Sequence, residues 1–237
     1  MKHETPAPPL LGTHDGLSCA LFLPEGEPEC GVVILHGAGS AKESHFDFGR
    51  AARASGVAAL AFDARGHGRS EGRFGPGAFD DVLAMCALLR EHAPAVGIRG
   101  SSMGGFQAIF AAALEPDVAA VVAICPAPPD HLLRGLRSGD LDGFDCDTAA
   151  CEPWLATLDM AGAVAALSPH TALLLLHARG DEKVPWTVSQ ELHAAAGEPK
   201  RLLVLPGGHH RSLQHDAELQ GESLRFIRRA AAARAGC

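Results

Sequence analysis

The chain has 237 residues, a formal net charge of −8, 47% hydrophobic residues and 20% charged residues. That length fits one large α/β domain with a substantial core. The acidic balance excludes nonspecific nucleic-acid binding, which needs a basic surface. No apolar run reaches membrane-spanning length, so no membrane partner is expected.

Taken in order, residues 1–9 are polar and Pro-rich and read as a loose arm. Met1-Lys2-His3-Glu4-Thr5-Pro6 lacks the apolar stretch of a signal peptide. Leu17 to Leu23 reads as an edge strand. Cys30 to Leu35 is a continuous apolar run, the pattern of a strand buried on both faces of a parallel sheet. It ends in a loop, His36-Gly37-Ala38-Gly39-Ser40. Phe46 to Ser55 predicts a helix that stops at Gly56. Val57 to Phe62 is a second buried strand, followed by the glycine-broken loop Asp63 to Ser70. Phe79 to His92 predicts an amphipathic helix with Val82, Cys86 and Leu89 on its apolar stripe.

A short apolar run at 95–98 then leads into Gly100-Ser101-Ser102-Met103-Gly104-Gly105, and a helical run follows from Phe106. Gly-x-Ser-x-Gly between strand and helix is the signature of a sharp turn that exposes its serine, here Ser102. Val118 to Cys125 is a further strand. Residues 127–170 break the strand–helix rhythm and read as a lid or cap insertion with an acidic loop at Asp140, Asp142, Asp145 and Asp147. Thr171 to His177 resumes the sheet, Trp186 to Ala196 predicts a helix, and Arg201 to Leu205 is the last strand. Asp216 to Arg234 closes the chain as a helix whose acidic start and basic end suit the helix dipole. Buried strands alternating with helices imply a single domain, 1–237, built on a doubly wound, mostly parallel sheet with helices on both faces. In such sheets ligands bind at the carboxyl ends of strands.

The chemistry gathers at those ends. A serine hydroxyl needs a base, and the base an orienting acid. Asp181 follows the strand at 171–177, and His209 and His210 follow the strand at 201–205. The order Ser, Asp, His is the one an α/β-hydrolase requires. The chain resembles that superfamily in five places: His36–Gly39, Asp63–Ser70, the Ser102 turn, Gly180-Asp181-x-x-Val184-Pro185, and Gly207-Gly208-His209-His210. The resemblance implies a serine hydrolase of an esterase, dienelactone-hydrolase-like or small-peptidase-like branch, with a Ser rather than a Cys nucleophile. It implies Ser102 as nucleophile, Asp181 as acid and His210 as base, with His209 as the alternative base. Asp130 and Asp216 compete for the acid, Asp216 equally as a helix cap. Glu182 reads as a solvated neighbour and Ser101 as a bystander. The resemblance places the oxyanion donors at the amides of Ala38 and Met103, and gives Arg65 and His67 a bracing role.

The implied activity is cofactor-free cleavage of carboxylic esters with small or medium acyl groups through an acyl-enzyme. The alternatives are a thioesterase, a small serine peptidase, or a non-catalytic binding module of the same fold. No cofactor is expected, because no nucleotide loop occurs. No metal is expected either: His209, His210 and His215 lack zinc spacing, and Asp140–Asp147 lacks the glycine and terminal Glu of a calcium loop. Seven scattered cysteines without a CxxC pair suit a reducing, cytoplasmic setting; Cys146 and Cys151 would pair only in an oxidising one.

Overall fold

The structure, a computed structural model, describes residues 7–140 and 143–235. The arm at 1–6, Asp142 of the acidic loop and Cys237 lie outside the described residues.

Eight strands form one sheet: β1 (Leu10–His14), β2 (Leu17–Phe22), β3 (Cys30–Leu35), β4 (Val57–Phe62), β5 (Val96–Ser101), β6 (Val118–Ile124), β7 (Ala172–Ala178) and β8 (Lys200–Leu205). Their order is β1-β2-β4-β3-β5-β6-β7-β8. The pairs from β4 to β8 are parallel, whereas β1–β2 and β2–β4 are antiparallel. β3 to β7 are buried along their whole length, as their continuous apolar runs require. Each large aliphatic side chain removed from water there contributes about 1.5–3 kcal/mol.

One edge differs from expectation. The run from Leu17 forms β2, one strand in from the edge, and the edge is β1. β1 escapes a pattern search because it has no buried face: Leu10 and Leu11 are 62% and 65% exposed. Its register with β2 is set locally, since Asp15 and Gly16 both take the positive φ of a tight hairpin turn.

The helices are α1 (Phe46–Ala54), α2 (Ala78–Arg90), α3 (Met103–Leu114), α4 (Pro129–Ser138), α5 (Thr148–Ala156), α6 (Met160–Ala165), α7 (Thr187–Ala195) and α8 (Ala217–Ala235). One core lies between the sheet and α2, α3 and α6; the other lies between the sheet and α1 and α8. The stripe of α2 is as expected, with Val82, Cys86 and Leu89 fully buried.

Within 127–170 the chain forms α4, α5 and α6, and it is tied down rather than loose. The amide of Asp145 donates to Gly66 O at 2.8 Å, and Phe74 N–H donates to Asp145 O at 3.0 Å. Trp154 packs edge-on against Phe74 and Phe106. Asp145 pairs with Arg73, Asp147 caps α5 through the Ala150 amide, and Asp140 accepts from the Ser138 hydroxyl. The thiols of Cys146 and Cys151 lie 2.8 Å apart, both as free cysteines.

The order in which successive strands join the sheet reverses about β3, which has β4 on one side and β5 on the other. The crevice at the carboxyl ends of β3 and β5 is therefore the place where such a sheet binds ligands.

Candidate active site

Ser102 sits in that crevice, directly after β5 and before α3. Its backbone takes φ 53° and ψ −116°, a conformation that costs a residue with a side chain about 1–3 kcal/mol. Three main-chain bonds impose it. The Ser102 amide donates to Ile124 O at 2.8 Å, and Ser102 O accepts from Phe106 and Ala127 at 3.0 and 3.1 Å. The flanking glycines are a matter of space. A Cβ on Gly100 would stand 2.1 Å from Gly104 O, and one on Gly104 would stand 2.6 Å from Leu35 O.

The loop after β3 lies against this turn: a Cβ on Gly37 would be 3.4 Å from Ser102 Cβ. His36 braces the loop. Its Nδ1 donates to Gly37 O at 2.8 Å, and its Nε2 accepts the Ala64 amide at 3.0 Å, which sets a neutral tautomer. Burial lowers the His36 pKa and so favours that form. Among the described loop and turn bonds, the amides of Ala38 and Met103 have no acceptor. Met103 is the first residue of α3, where amides lack helical partners and the dipole favours negative charge.

Asp181 follows β7 and His210 follows β8. Asp181 Oδ1 accepts the amides of Lys183 and Val184 at 2.8 and 2.9 Å. Asp181 Oδ2 lies 2.8 Å from His210 Nδ1. The carboxylate is fully buried. Burial raises its pKa, but hydrogen bonds from His177 and His210 and from the Val184 amide outweigh that and hold it well below the carboxylate range. Ser102, His210 and Ala38 line one cleft of about 1100 Å³.

The competing residues stand elsewhere. His209 is exposed, and its Nδ1 faces the Arg211 amide at 3.4 Å. Asp130 pairs with Arg134 on the surface of α4, and Asp216 caps α8 through the amides of Glu218 and Leu219. Glu182 is exposed, yet it is more than a solvated neighbour, since it accepts the His210 amide at 3.0 Å.

Several residues here carry no motif. Ser101 is not a bystander: its buried hydroxyl donates to Gln214 Oε1 at 2.7 Å, and Gln214 also lines the cleft. Arg99, beneath the turn, donates to Gln214 O at 2.9 Å and lays its guanidinium 4.0 Å over the Phe48 ring; burial lowers its pKa to about 9. In the 63–70 loop, Arg65 braces as expected by donating to Asp81 and to Asp15 O. His67 hydrogen-bonds Arg65 O through Nδ1 at 3.1 Å, packs against His36 at 4.9 Å and stacks on Phe144 at 4.2 Å. The loop's anchor is Asp63, fully buried, which accepts from Lys42 Nζ at 2.7 Å and from the amides of Lys42 and Arg69.

Cys125, Asp181 and His210 offer three metal-ligand atoms within 4.8 Å of one another. Burial pushes the Cys125 thiol far up and keeps its proton on, which makes it a poor metal ligand.

A strained serine at the switch point, with an Asp–His pair and unpartnered amides around one cleft, defines the architecture of an α/β-hydrolase. A family model described as "Serine aminopeptidase, S33" matches residues 26–135. The uncharacterized protein YfhR of Escherichia coli K12 is 45% identical over 47 residues, 20% of this chain and 16% of its own. The esterase Rv0045c of Mycobacterium tuberculosis is 34% identical over 108 residues, 44% of this chain and 35% of its own. The chain thus spans less than half of the length of either curated relative. Est1E from Butyrivibrio proteoclasticus, solved with ferulic acid bound, superposes with a TM-score of 0.72 at 21% identity, covering 96% of this chain and all of that one. The chain has the α/β-hydrolase fold.

Proposed function

We propose that the chain is a cofactor-independent serine hydrolase that cleaves carboxylic esters of small or medium acyl groups. The observation that carries this reading is the 2.8 Å contact between buried Asp181 and His210, on the cleft that holds Ser102. With Nδ1 committed to Asp181, Nε2 of His210 is the nitrogen left for the cleft. It takes the Ser102 proton as Oγ attacks the acyl carbonyl. Charge developing on the carbonyl oxygen meets the amides of Ala38 and Met103; removing one such donor costs about 3 kcal/mol. The C–O bond breaks, and His210 gives its proton to the leaving alcohol. Water, deprotonated by the same nitrogen, then releases the acid and restores Ser102. Asp181 holds the imidazole in the required tautomer throughout. The printed name of the esterase Rv0045c agrees with this chemistry.

Peptide cleavage is a second reading, favoured by the name of the matched family model. An aminopeptidase must hold a free ammonium, and cations outnumber carboxylates around this cleft, which weighs against it. In the test, the Ser102→Ala variant loses at least about 10³-fold in kcat on p-nitrophenyl butyrate. Turnover within tenfold of wild type would remove Ser102 from the mechanism. A protein that turns over no ester, thioester or peptide at all fits the non-catalytic alternative.

A further inference from the structure

The cleft has an unusual wall for a site that accepts acyl chains. Among the described side chains lining it, only Ala38 and Leu132 are apolar. Helix α4 faces it with His131, Leu132, Arg134, Gly135, Arg137 and Ser138, while Leu133 and Leu136 pack against the core. A helix covering a lipid-binding pocket presents its apolar stripe to the pocket; α4 presents a mainly polar face with Leu132 as its one large apolar side chain.

Charge is the second feature. Among the described residues, four cations line the cleft (Arg134, Arg137, Lys183 and Arg211) against two carboxylates, Asp140 and Glu182. This excess opposes the chain's net charge of −8. Arg134 and Arg137 are tied to Asp130 and Glu152 at 2.5 and 3.2 Å. Asp140 accepts from Ser138 at 2.6 Å, and Glu182 accepts the His210 amide. Among the described residues, the side chains of Lys183 and Arg211 have no ion-pair or hydrogen-bond partner. They stand two residues after Asp181 and one after His210, so two uncommitted cations flank the reacting groups. A cleft of one sign concentrates a ligand of the other.

We propose that the substrate is an ester carrying a carboxylate or phosphate anion, held by Lys183 and Arg211 at the mouth of the cleft. This rests on the esterase reading above and names its substrate class.

The test compares kcat/KM for two matched pairs at low ionic strength. One is mono-p-nitrophenyl adipate against p-nitrophenyl hexanoate, which places a carboxylate on the acyl side. The other is the butyryl ester of glycerol 3-phosphate against monobutyrin, which places a phosphate on the alcohol side. The expected result is at least a tenfold preference for the anionic member of one or both pairs, expressed in KM. The responding pair identifies the anion. The preference falls as salt is raised from about 20 to 500 mM, as it must for charges at a solvent-accessible mouth. The combined Lys183→Ala, Arg211→Ala variant brings the ratio towards one, and the combined Lys183→Glu, Arg211→Glu variant takes it below one. Equal or better turnover of the neutral members overturns the proposal and leaves the esterase reading standing. So does a preference that ignores salt or survives both double variants. Wild-type protein that turns over none of the four esters overturns both.

Discussion

His177 Nε2 lies 3.3 Å from Asp181 Oδ2, with both side chains fully buried. The same nitrogen is 3.0 Å from Val184 O, and Nδ1 is 2.7 Å from the Ser189 hydroxyl. Nε2–H donates to Val184 O and leans on Asp181, while Nδ1 pairs with the Ser189 hydroxyl. The carboxylate is thus held by a histidine within the sheet as well as by His210 at the cleft. His177 is a positioning residue, since it reaches substrate only through Asp181. Replacing it by Leu orphans the Ser189 hydroxyl and the Val184 carbonyl, and stability falls by about 1–3 kcal/mol in urea unfolding. In folded protein kcat drops about tenfold with KM unchanged, because the loss is in alignment of the base. Unchanged kcat would show that His210 and the two loop amides hold Asp181 by themselves.

The Lys42–Asp63 pair makes a prediction about folding rather than chemistry. Its 2.7 Å contact is 3% exposed on the lysine side and unexposed on the aspartate side. Removing Lys42 leaves the buried Asp63 carboxylate with backbone amides alone, and removing Asp63 leaves Lys42 with the half-exposed Glu43 alone; breaking a buried pair typically costs about 3–5 kcal/mol. Lys42→Met and Asp63→Asn therefore each lower the urea midpoint strongly. The combined Lys42→Met, Asp63→Leu variant loses less than the sum of the two. Single-variant losses under about 0.5 kcal/mol would mean that water reaches the pair.

Acid should loosen this protein before its carboxylates titrate. Burial lowers the pKa of His36, of His45 to about 3 and of His67 to about 4. His45 and His67 are neutral in the folded state near pH 6, whereas a histidine of the unfolded chain binds a proton near pH 6.5, and the His36 shift has the same sign. The folded state thus holds fewer protons, and stability falls as pH drops below about 6.5. His45 and His67 each contribute up to about 1.4 kcal/mol per pH unit in that range. The share of His67 stops growing near pH 4 and that of His45 near pH 3. Asp63 and Asp181, held low by their partners, add their own loss below about pH 4. Urea midpoints at pH 7.5, 6 and 5 should descend; a flat or rising series contradicts the neutral, buried histidines.

What the sequence discloses follows from how local each signal is. Ser102 announces itself because strand, turn and helix are contiguous and Gly100 is forced by its near neighbour Gly104, although Gly104 itself is forced by the distant Leu35 and His36 carbonyls. Asp181 and His210 are legible because each lies in a loop just past an apolar run, buried in β7 and half-buried in β8. His177 is hidden because it reads as the last residue of such a run, and only the fold turns it under Asp181. Gln214 is hidden for a related reason: its partner Ser101 is 113 positions away, and a lone Gln near a helix start has no pattern. Lys42 and Asp63 each look solvent-facing until β3 and β4 bring their loops together. The edge strand β1 is missed because exposure on both faces erases its period. Which flank of α4 meets the cleft depends on packing against α5, which no local pattern encodes.

The central claim is that Ser102 is a nucleophile activated by His210 under the hold of Asp181. Intact-mass and peptide mass spectrometry after fluorophosphonate treatment tests it most directly. The account predicts one adduct per chain, on Ser102, lost in Ser102→Ala and slowed at least about 10²-fold in His210→Ala. An unlabelled protein, an adduct on another residue, or equal labelling rates with and without His210 would contradict it.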